Sequence, residues 1–254
     1  MRCRLLPALV FLAGAGHAAE VDILRTAPPT GIYIETDYRH PDSAHCDWYY
    51  TAKDFLRETA IVSDRPCPVV VRLRGILSRQ GALLFSQVTQ RLADWPAEVS
   101  RIVLNSRGGD STAAFQIARI IREHDVYRRQ LPGVTTALDE SETAVCFSAC
   151  LIVFAAGFER YAVFDEYDDP ALPSRLGIHR PGQYNPARGR YDSSDNNRYI
   201  QGVRKQLTDY FASVGVSSQL VDEMFAVPFD DIRLLTESEA LEFKLVTRAQ
   251  PLPN

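Results

Sequence analysis

Residues 145–157 read Val-Cys-Phe-Ser-Ala-Cys-Leu-Ile-Val-Phe-Ala-Ala-Gly, and no other stretch of the chain is as informative. The segment from Ser148 to Ala156 is apolar all round, which predicts a helix that is buried on every side. Ser148 stands where this helix begins, so a turn there would expose its hydroxyl to a substrate while the helix is held in the core. We therefore treat Ser148 as a candidate nucleophile, with capping of the helix as its ordinary structural role.

Two further motifs lie at the ends of predicted elements. Asn105–Asp110, which reads Asn-Ser-Arg-Gly-Gly-Asp, follows a buried strand, and glycines permit a tight turn and a close backbone approach. The N–H groups of Gly109 and Ala149 are therefore candidate oxyanion donors. His179 ends a short apolar strand and is the candidate general base. Each motif alone has a structural explanation, but the three together, in this order, predict acyl-transfer chemistry.

A catalytic histidine is usually oriented by a carboxylate. Asp230 and Asp231, which precede the last predicted helix, are the candidates, and the sequence leaves open whether Asp230, Asp231 or neither completes a triad. Asp231 is the residue we assign. A lysine base, for which Lys205 would be placed best, is the variant mechanism, but His179 stands in the better motif.

Strands and helices alternate along the chain. The strands Val69–Gly75, Ile102–Leu104 and Val134–Leu138 are continuous apolar runs, which predicts an α/β fold with a largely parallel sheet covered by helices. Residues 182–196 are rich in Gly, Asn, Asp and Ser and predict a mobile loop. The expected helices are residues 81–92, a helix capped by Asp110 or Ser111, residues 148–156, residues 197–214 and a last helix opened by the capping box Thr236-Glu237-Ser238-Glu239.

The first residues have the pattern of an export signal. Arg2 and Arg4 precede the apolar run Leu5–Ala15, and small residues follow up to Ala19. This predicts a signal peptide at 1–19, an N-terminal extension at 20–67, a hydrolase domain at 68–254, and a periplasmic or secreted protein. No later segment reaches the length of a membrane span. The net charge of −4 gives no support to nucleic-acid binding.

Removal of the signal peptide would leave four cysteines. Cys46 and Cys67 could form a disulfide that staples the irregular N-terminal segment. Cys146 and Cys150 flank Ser148, and a bridge between them would need a distorted first helical turn, so two buried thiols are slightly favoured over a disulfide. No Cys-x-x-Cys pair or histidine cluster accompanies them, so neither a metal nor another cofactor is expected.

The stretch from Val69 to Val246 resembles the superfamily of the Clp protease proteolytic subunit and the crotonases. The shared order is a strand, Asn-Ser-x-Gly-Gly, a helix, a strand, the nucleophilic serine, an apolar helix ending in Ala-Ala-Gly, and Ile-His-x-Pro. Ser148 and Gly157 have the spacing found between serine and glycine in the Clp subunit. The closest resemblance is to predicted periplasmic proteins that carry Cys-x-Ser-Ala-Cys.

The resemblance implies a spiral of ββα units and an exported serine hydrolase, a peptidase acting on peptides or proteins, that assembles into a homo-oligomer. It also implies catalytic roles for Ser148 and His179 and an oxyanion hole from Gly109 and Ala149. One departure is that Ile232 stands where the family has its catalytic aspartate, one position past Asp231. The alternative is therefore a catalytically inactive binding or assembly protein of this fold in the periplasm. Acyl-CoA chemistry is disfavoured because coenzyme A is cytoplasmic.

Overall fold

The computed structural model describes residues 30–58, 66–129, 133–139, 144–162 and 175–248. Its strands form a six-stranded sheet, a three-stranded sheet and a two-stranded hairpin. The strands are β1 (Gly31–Thr36), β2 (Tyr49–Thr51), β3 (Cys67–Arg74), β4 (Ala97–Asn105), β5 (Thr135–Leu138), β6 (Cys146–Phe147), β7 (Glu159–Tyr161), β8 (Leu176–Ile178), β9 (Gln183–Asn185), β10 (Arg190–Asp192) and β11 (Arg233–Leu234).

The large sheet has the strand order β2-β1-β3-β4-β5-β7. The four strands β3, β4, β5 and β7 are parallel, whereas β1 and β2 are antiparallel to their neighbours. Val69, Val71 and Leu73 of β3 are fully buried, as a strand in the interior of a covered sheet requires. The predicted α/β fold with a largely parallel sheet is confirmed.

The helices follow the strands in the predicted alternation. Asp110 caps α3, because its carboxylate accepts from the backbone N–H groups of Thr112 and Ala113. The capping box opened by Thr236 is present, with Glu239 as its second member. The helices are α1 (Ala52–Arg57), α2 (Arg79–Ala93), α3 (Ser111–Glu123), α4 (Asp125–Arg128), α5 (Cys150–Ala155), α6 (Arg198–Ser213), α7 (Gln219–Ala226) and α8 (Glu237–Glu242), with a 3-10 helix at Pro41–His45.

The small sheet, of order β11-β8-β6, brings two distant segments together. β6 is parallel to β8, with Cys146 opposite Leu176 and Phe147 opposite Gly177. An isolated bridge between Ser106 and Cys146 connects β6 to the chain that leaves β4. Because parallel strands end at the same edge of a sheet, the residues that follow β4, β6 and β8 meet there.

The N-terminal segment is part of the large sheet. β1 pairs with β3 over its whole length, and its side chains Ile32 and Ile34 are buried in the core. A disulfide between Cys46 and Cys67 joins the loop before β2 to the first residue of β3, which is the pairing that the sequence allowed for this segment. The predicted signal peptide, residues 1–19, lies outside the described residues.

The structure differs from the sequence-based expectation in several places. Helix α5 begins at Cys150, two residues later than expected, because Ser148 adopts a conformation that a helix cannot contain. Residues 182–196 contain the antiparallel hairpin β9–β10 in place of an irregular loop. Helices α1, α4 and α7 were not expected. In the described ranges, every helix is too short or too polar to cross a bilayer.

Candidate active site

Ser148 lies in a sharp turn between β6 and α5. Its φ angle of 54° is in the left-handed region, which costs a residue other than glycine about 1–3 kcal/mol unless its surroundings hold it there. Two hydrogen bonds hold the incoming backbone: the N–H of Ser148 donates to the carbonyl of Gly177 over 3.0 Å, and that of Phe147 donates to the carbonyl of Ser106 over 3.0 Å. The turn leaves Ser148 half-buried on the wall of a cavity.

A disulfide brackets this turn. Cys146 and Cys150 are bonded, with their Cα atoms 5.2 Å apart, and both are fully buried. The sequence slightly favoured two separate thiols, and that expectation is wrong. The objection to a bridge was that a helical turn would have to distort, but Cys146 belongs to strand β6 and only Cys150 belongs to the helix, so no such turn exists.

His179 follows β8 and lines the same cavity as Ser148. Its Nδ1 lies 3.0 Å from the backbone carbonyl oxygen of Phe229. Because a carbonyl only accepts, Nδ1 must carry the proton, which leaves Nε2 with a free lone pair. Burial lowers the pKa of His179 below its ordinary value of 6.5, while the Phe229 carbonyl and the charge of Asp230 raise that pKa only in part.

The predicted carboxylate partner of His179 is placed elsewhere. The side chain of Asp231 is exposed, and its Oδ1 accepts from the backbone N–H of Ile232 over 2.8 Å. Asp230 is also exposed and lines a different cavity. The orienting acceptor is therefore the main chain of Phe229, which sequence reasoning missed because a backbone carbonyl has no residue-type signature.

The lysine considered as an alternative base also lies outside the cavity. Lys205 is on helix α6, where its ammonium group forms an ion pair with Asp209 over 2.5 Å and is largely exposed to solvent. Of the two candidate bases, only His179 reaches the wall that carries Ser148.

The Gly-Gly turn packs directly on the serine turn. A Cβ added to Gly108 would lie 2.9 Å from the Cβ of Ser148 and 3.2 Å from the backbone nitrogen of Ala149. Gly108 and Gly109 have φ angles of 97° and 135°, a region that L side chains rarely adopt. Glycine is thus required at this position both by the backbone conformation and by the close approach of the two turns.

Two backbone N–H groups in this region are available to a ligand. Leu77 donates to the carbonyl of Gly108 and accepts from the N–H of Asp110, so the N–H of Gly109 points away from Leu77. Within the ranges that the structure describes, neither the N–H of Gly109 nor that of Ala149 has a hydrogen-bond partner. Both residues line the cavity of Ser148 and His179.

That cavity has a volume of about 560 Å³. Arg79, Arg107, Asp110 and their polar neighbours line one part of it, and an apolar and aromatic part is contributed by α5, α6, α7, the β9–β10 hairpin and the loop before β11. The side chains concerned are Ile152, Val203, Leu207, Met224, Phe229, Tyr184, Tyr191 and Tyr199. A larger cavity of about 910 Å³ beside the hairpin is lined by neither Ser148 nor His179, so the candidate chemistry belongs to the smaller one.

Gly109→Ala is expected to lower the rate of any Ser148-dependent reaction about 100-fold or more. The added Cβ would meet the carbonyl oxygen of Leu77 at 2.3 Å, so the turn must shift and the N–H of residue 109 moves with it. Steady-state kinetics on folded protein measure the effect. Gly215→Ala is the matched control: Gly215 also has a positive φ, of 78°, but a Cβ there meets nothing within 4 Å. It should cost about 1–2 kcal/mol of stability and leave the rate unchanged. Equal rates for the two variants would contradict the assignment.

No protein-family model matches this chain, and no curated protein matches it in sequence. Among solved structures it is similar to the 1510-N membrane-bound stomatin-specific protease in complex with a substrate peptide, at 15% identity over 73% of this chain and 75% of that chain, with a TM-score of 0.49. It is also similar to ClpP1 from Listeria monocytogenes, at 17% identity over 70% of this chain and 88% of that chain, with a TM-score of 0.42. The fold class follows from the order and directions of the strands themselves.

Proposed function

We propose that this chain is a serine hydrolase, with Ser148 as nucleophile and His179 as general base. More narrowly, we propose a peptidase related to the Clp proteolytic subunit, as the motif order of the sequence implies. One observation carries the proposal: a single cavity is lined by Ser148, by His179 and by Gly109 and Ala149, whose N–H groups have no partner among the described residues. These are the nucleophile, the base and the two donors that acyl transfer needs.

In the proposed reaction, Nε2 of His179 accepts the proton of the Ser148 hydroxyl as its oxygen bonds to the substrate carbonyl carbon. The carbonyl oxygen becomes an oxyanion and accepts hydrogen bonds from the N–H groups of Gly109 and Ala149. The imidazolium then protonates the leaving amine or alcohol as its bond to carbon breaks. Water, deprotonated by His179, releases the acyl group from Ser148 in the same manner.

The pairing of His179 with a backbone carbonyl has a chemical consequence. The Phe229 carbonyl fixes the tautomer and the ring orientation of His179, which are two of the effects of the carboxylate in a catalytic triad. It carries a partial charge only, so it stabilises the imidazolium less than a carboxylate would. We therefore expect a working but slow enzyme. The same feature is what favours the alternative, a binding or assembly protein that has lost activity.

The cavity favours a peptide or ester with an apolar side chain next to the reacting carbonyl. Val203, Leu207 and Met224 are buried, and these side chains lie on the cavity wall together with the ring of Phe229. An apolar group of the substrate would leave water on binding there. Self-assembly, which the resemblance implies, is a separate expectation that analytical ultracentrifugation of the processed chain tests.

Export to the periplasm or beyond is part of the proposal. Disulfides form and persist in oxidising compartments, and the described residues contain two, Cys46–Cys67 and Cys146–Cys150. The basic and apolar start of the chain predicts the route. N-terminal sequencing of the mature protein after expression in a bacterial host tests it, and we expect a new terminus near residue 20.

Activity is expected to rise with pH through an apparent pKa below 6.5 and then to level off. Only the neutral imidazole can act as base, and burial favours the neutral form, so His179 loses its proton at a lower pH than a free histidine. A profile of kcat/KM against pH measures this pKa. Asp230→Asn removes a negative charge that raises the pKa of His179. The acid limb of the pH profile of this variant, where kcat/KM rises with pH, should therefore lie at slightly lower pH. An acid limb with an apparent pKa above 6.5 would contradict His179 as the base.

The function itself is tested by a fluorophosphonate probe on processed, folded protein with both disulfides formed. We expect one covalent adduct, located by peptide mass spectrometry on Ser148, together with hydrolysis of small apolar peptide esters. Absence of any adduct on folded protein would reject the hydrolase and favour the non-catalytic binding protein.

A further inference from the structure

The Cys146–Cys150 disulfide closes a small covalent ring around Ser148. The ring contains the last strand residues, the serine turn and the first helical residue, so it ties the end of β6 to the start of α5. Both cysteines are completely buried. The disulfide is therefore part of the buried core and joins the residues two positions before and after the candidate nucleophile.

The backbone hydrogen bonds that hold the serine turn differ before and after Ser148. Before Ser148 in the chain, backbone hydrogen bonds join Cys146 and Ser148 to Arg175 and Gly177 at β8, and Phe147 to Ser106 after β4, so two distant segments hold this side. After Ser148, the carbonyls of Ser148 and Ala149 accept from the N–H groups of Leu151 and Ile152, which belong to the same helix and not to a distant segment. Besides the packing of the buried helix α5, the disulfide is therefore the covalent constraint that fixes the helix start relative to the strand.

A rotation of the helix start relative to the strand would relax the backbone of Ser148. Its φ of 54° is strained for a serine and persists only where the surroundings enforce it. A change of φ to the ordinary negative region would turn the side chain of Ser148 and the peptide unit that follows it. The Ser148 hydroxyl and the N–H of Ala149 would therefore change direction together. The disulfide opposes this change, since it fixes how far the residues on either side of the turn can separate.

We infer that the Cys146–Cys150 disulfide is a positioning element that aims the Ser148 hydroxyl and the Ala149 N–H at the cavity. The inference rests on the proposed function and adds a requirement to it: the chain must be oxidised at these two cysteines before its serine is competent. Cys46–Cys67 provides the contrast. It lies at the start of β3, roughly 23 Å along that strand from Arg74, which pairs with Asn105 at the end of β4 just before the Gly-Gly turn.

The test compares Cys146→Ala/Cys150→Ala with Cys46→Ala/Cys67→Ala. Each double variant loses one disulfide and should be less stable, as thermal unfolding will show. At a temperature where both are folded, we expect the first to react with the fluorophosphonate about 10- to 100-fold more slowly at saturating probe, with little change in probe affinity. The second should react like the wild type. Equal saturating rates in both variants would overturn the inference.

A measurement that needs no reaction keeps the inference separable from the proposed function. The Cα and Cβ chemical shifts of Ser148 report its backbone conformation without any reaction. They should change in Cys146→Ala/Cys150→Ala and stay as in the wild type in Cys46→Ala/Cys67→Ala. Unchanged shifts in both variants would overturn the positioning role, even if the wild type reacted with no probe at all. Absence of labelling of the wild type, by contrast, counts against the hydrolase alone.

If the first double variant does not fold, the experiment moves to Cys46→Ala/Cys67→Ala protein, where Cys146–Cys150 is the disulfide that remains among the described cysteines. Reduction, confirmed by the intact mass, should slow labelling of Ser148, and reoxidation should restore the original rate. A rate that does not change through this cycle would contradict the inference.

Discussion

Ser148→Ala protein is expected to form no fluorophosphonate adduct and to lose hydrolytic activity by about 10⁴-fold or more. The substitution removes the only atom proposed to bond to the substrate, and the remaining contacts can supply no more than binding and oxyanion stabilisation. The fold should survive, because alanine lacks only the hydroxyl and the neighbouring backbone hydrogen bonds are unchanged. Intact-mass spectrometry and kcat/KM measure the two effects.

The control for Ser148→Ala is Ser213→Ala. Ser213 lies exposed at the end of α6, where its hydroxyl donates to the carbonyl of Tyr210 over 2.6 Å, and it does not line the cavity. This variant should be labelled like the wild type. Labelling of Ser148→Ala protein at the wild-type rate would show that the reactive hydroxyl lies elsewhere in the chain.

His179→Gln is expected to lower kcat/KM by about 10³-fold or more. The glutamine amide can still donate to the carbonyl of Phe229, so the local structure is retained, but it offers no basic nitrogen to the Ser148 hydroxyl. The acid limb of the pH profile should also disappear, because no group with a pKa below 6.5 then controls the reaction. Loss of the limb distinguishes a missing base from a disturbed fold.

Asp231→Asn is the matched control for His179→Gln. The carboxylate of Asp231 is exposed and accepts from the N–H of its own neighbour Ile232, so its charge is not expected to matter for the reaction. Its kcat/KM should stay within about twofold of the wild type, since exposed charges interact weakly. A loss as large as that of His179→Gln would restore Asp231 as the third catalytic residue.

Much of the fold could be predicted from local patterns. The β-branched runs of β3 and β4 signalled buried parallel strands, and the structure has them. The Asp110 cap and the capping box at Thr236 were visible as well, because a helix start needs side-chain acceptors within three residues. Hairpin β9–β10 was missed, since its polar composition resembles that of a loop and its strands have only three residues each.

The candidate site, too, could be predicted from the sequence only in part. Ser148, His179, Gly109 and Ala149 each stand at the end of a regular element, so their motifs were visible one by one, and the structure brings all four to one cavity. The partner of His179 was not visible. Whether Asp231 or the Phe229 carbonyl reaches Nδ1 depends on how the loop before β11 turns, which no short-range pattern encodes.

What the sequence by itself determined is the set of elements and the residue types at their ends, because hydrophobic period and helix capping act over only a few residues. Tertiary structure alone decided that Ser148 has a left-handed backbone, that Cys146 and Cys150 are bonded, and that a main-chain oxygen orients His179. These features depend on distances between segments far apart in the chain. Such distances are set by strand register and packing.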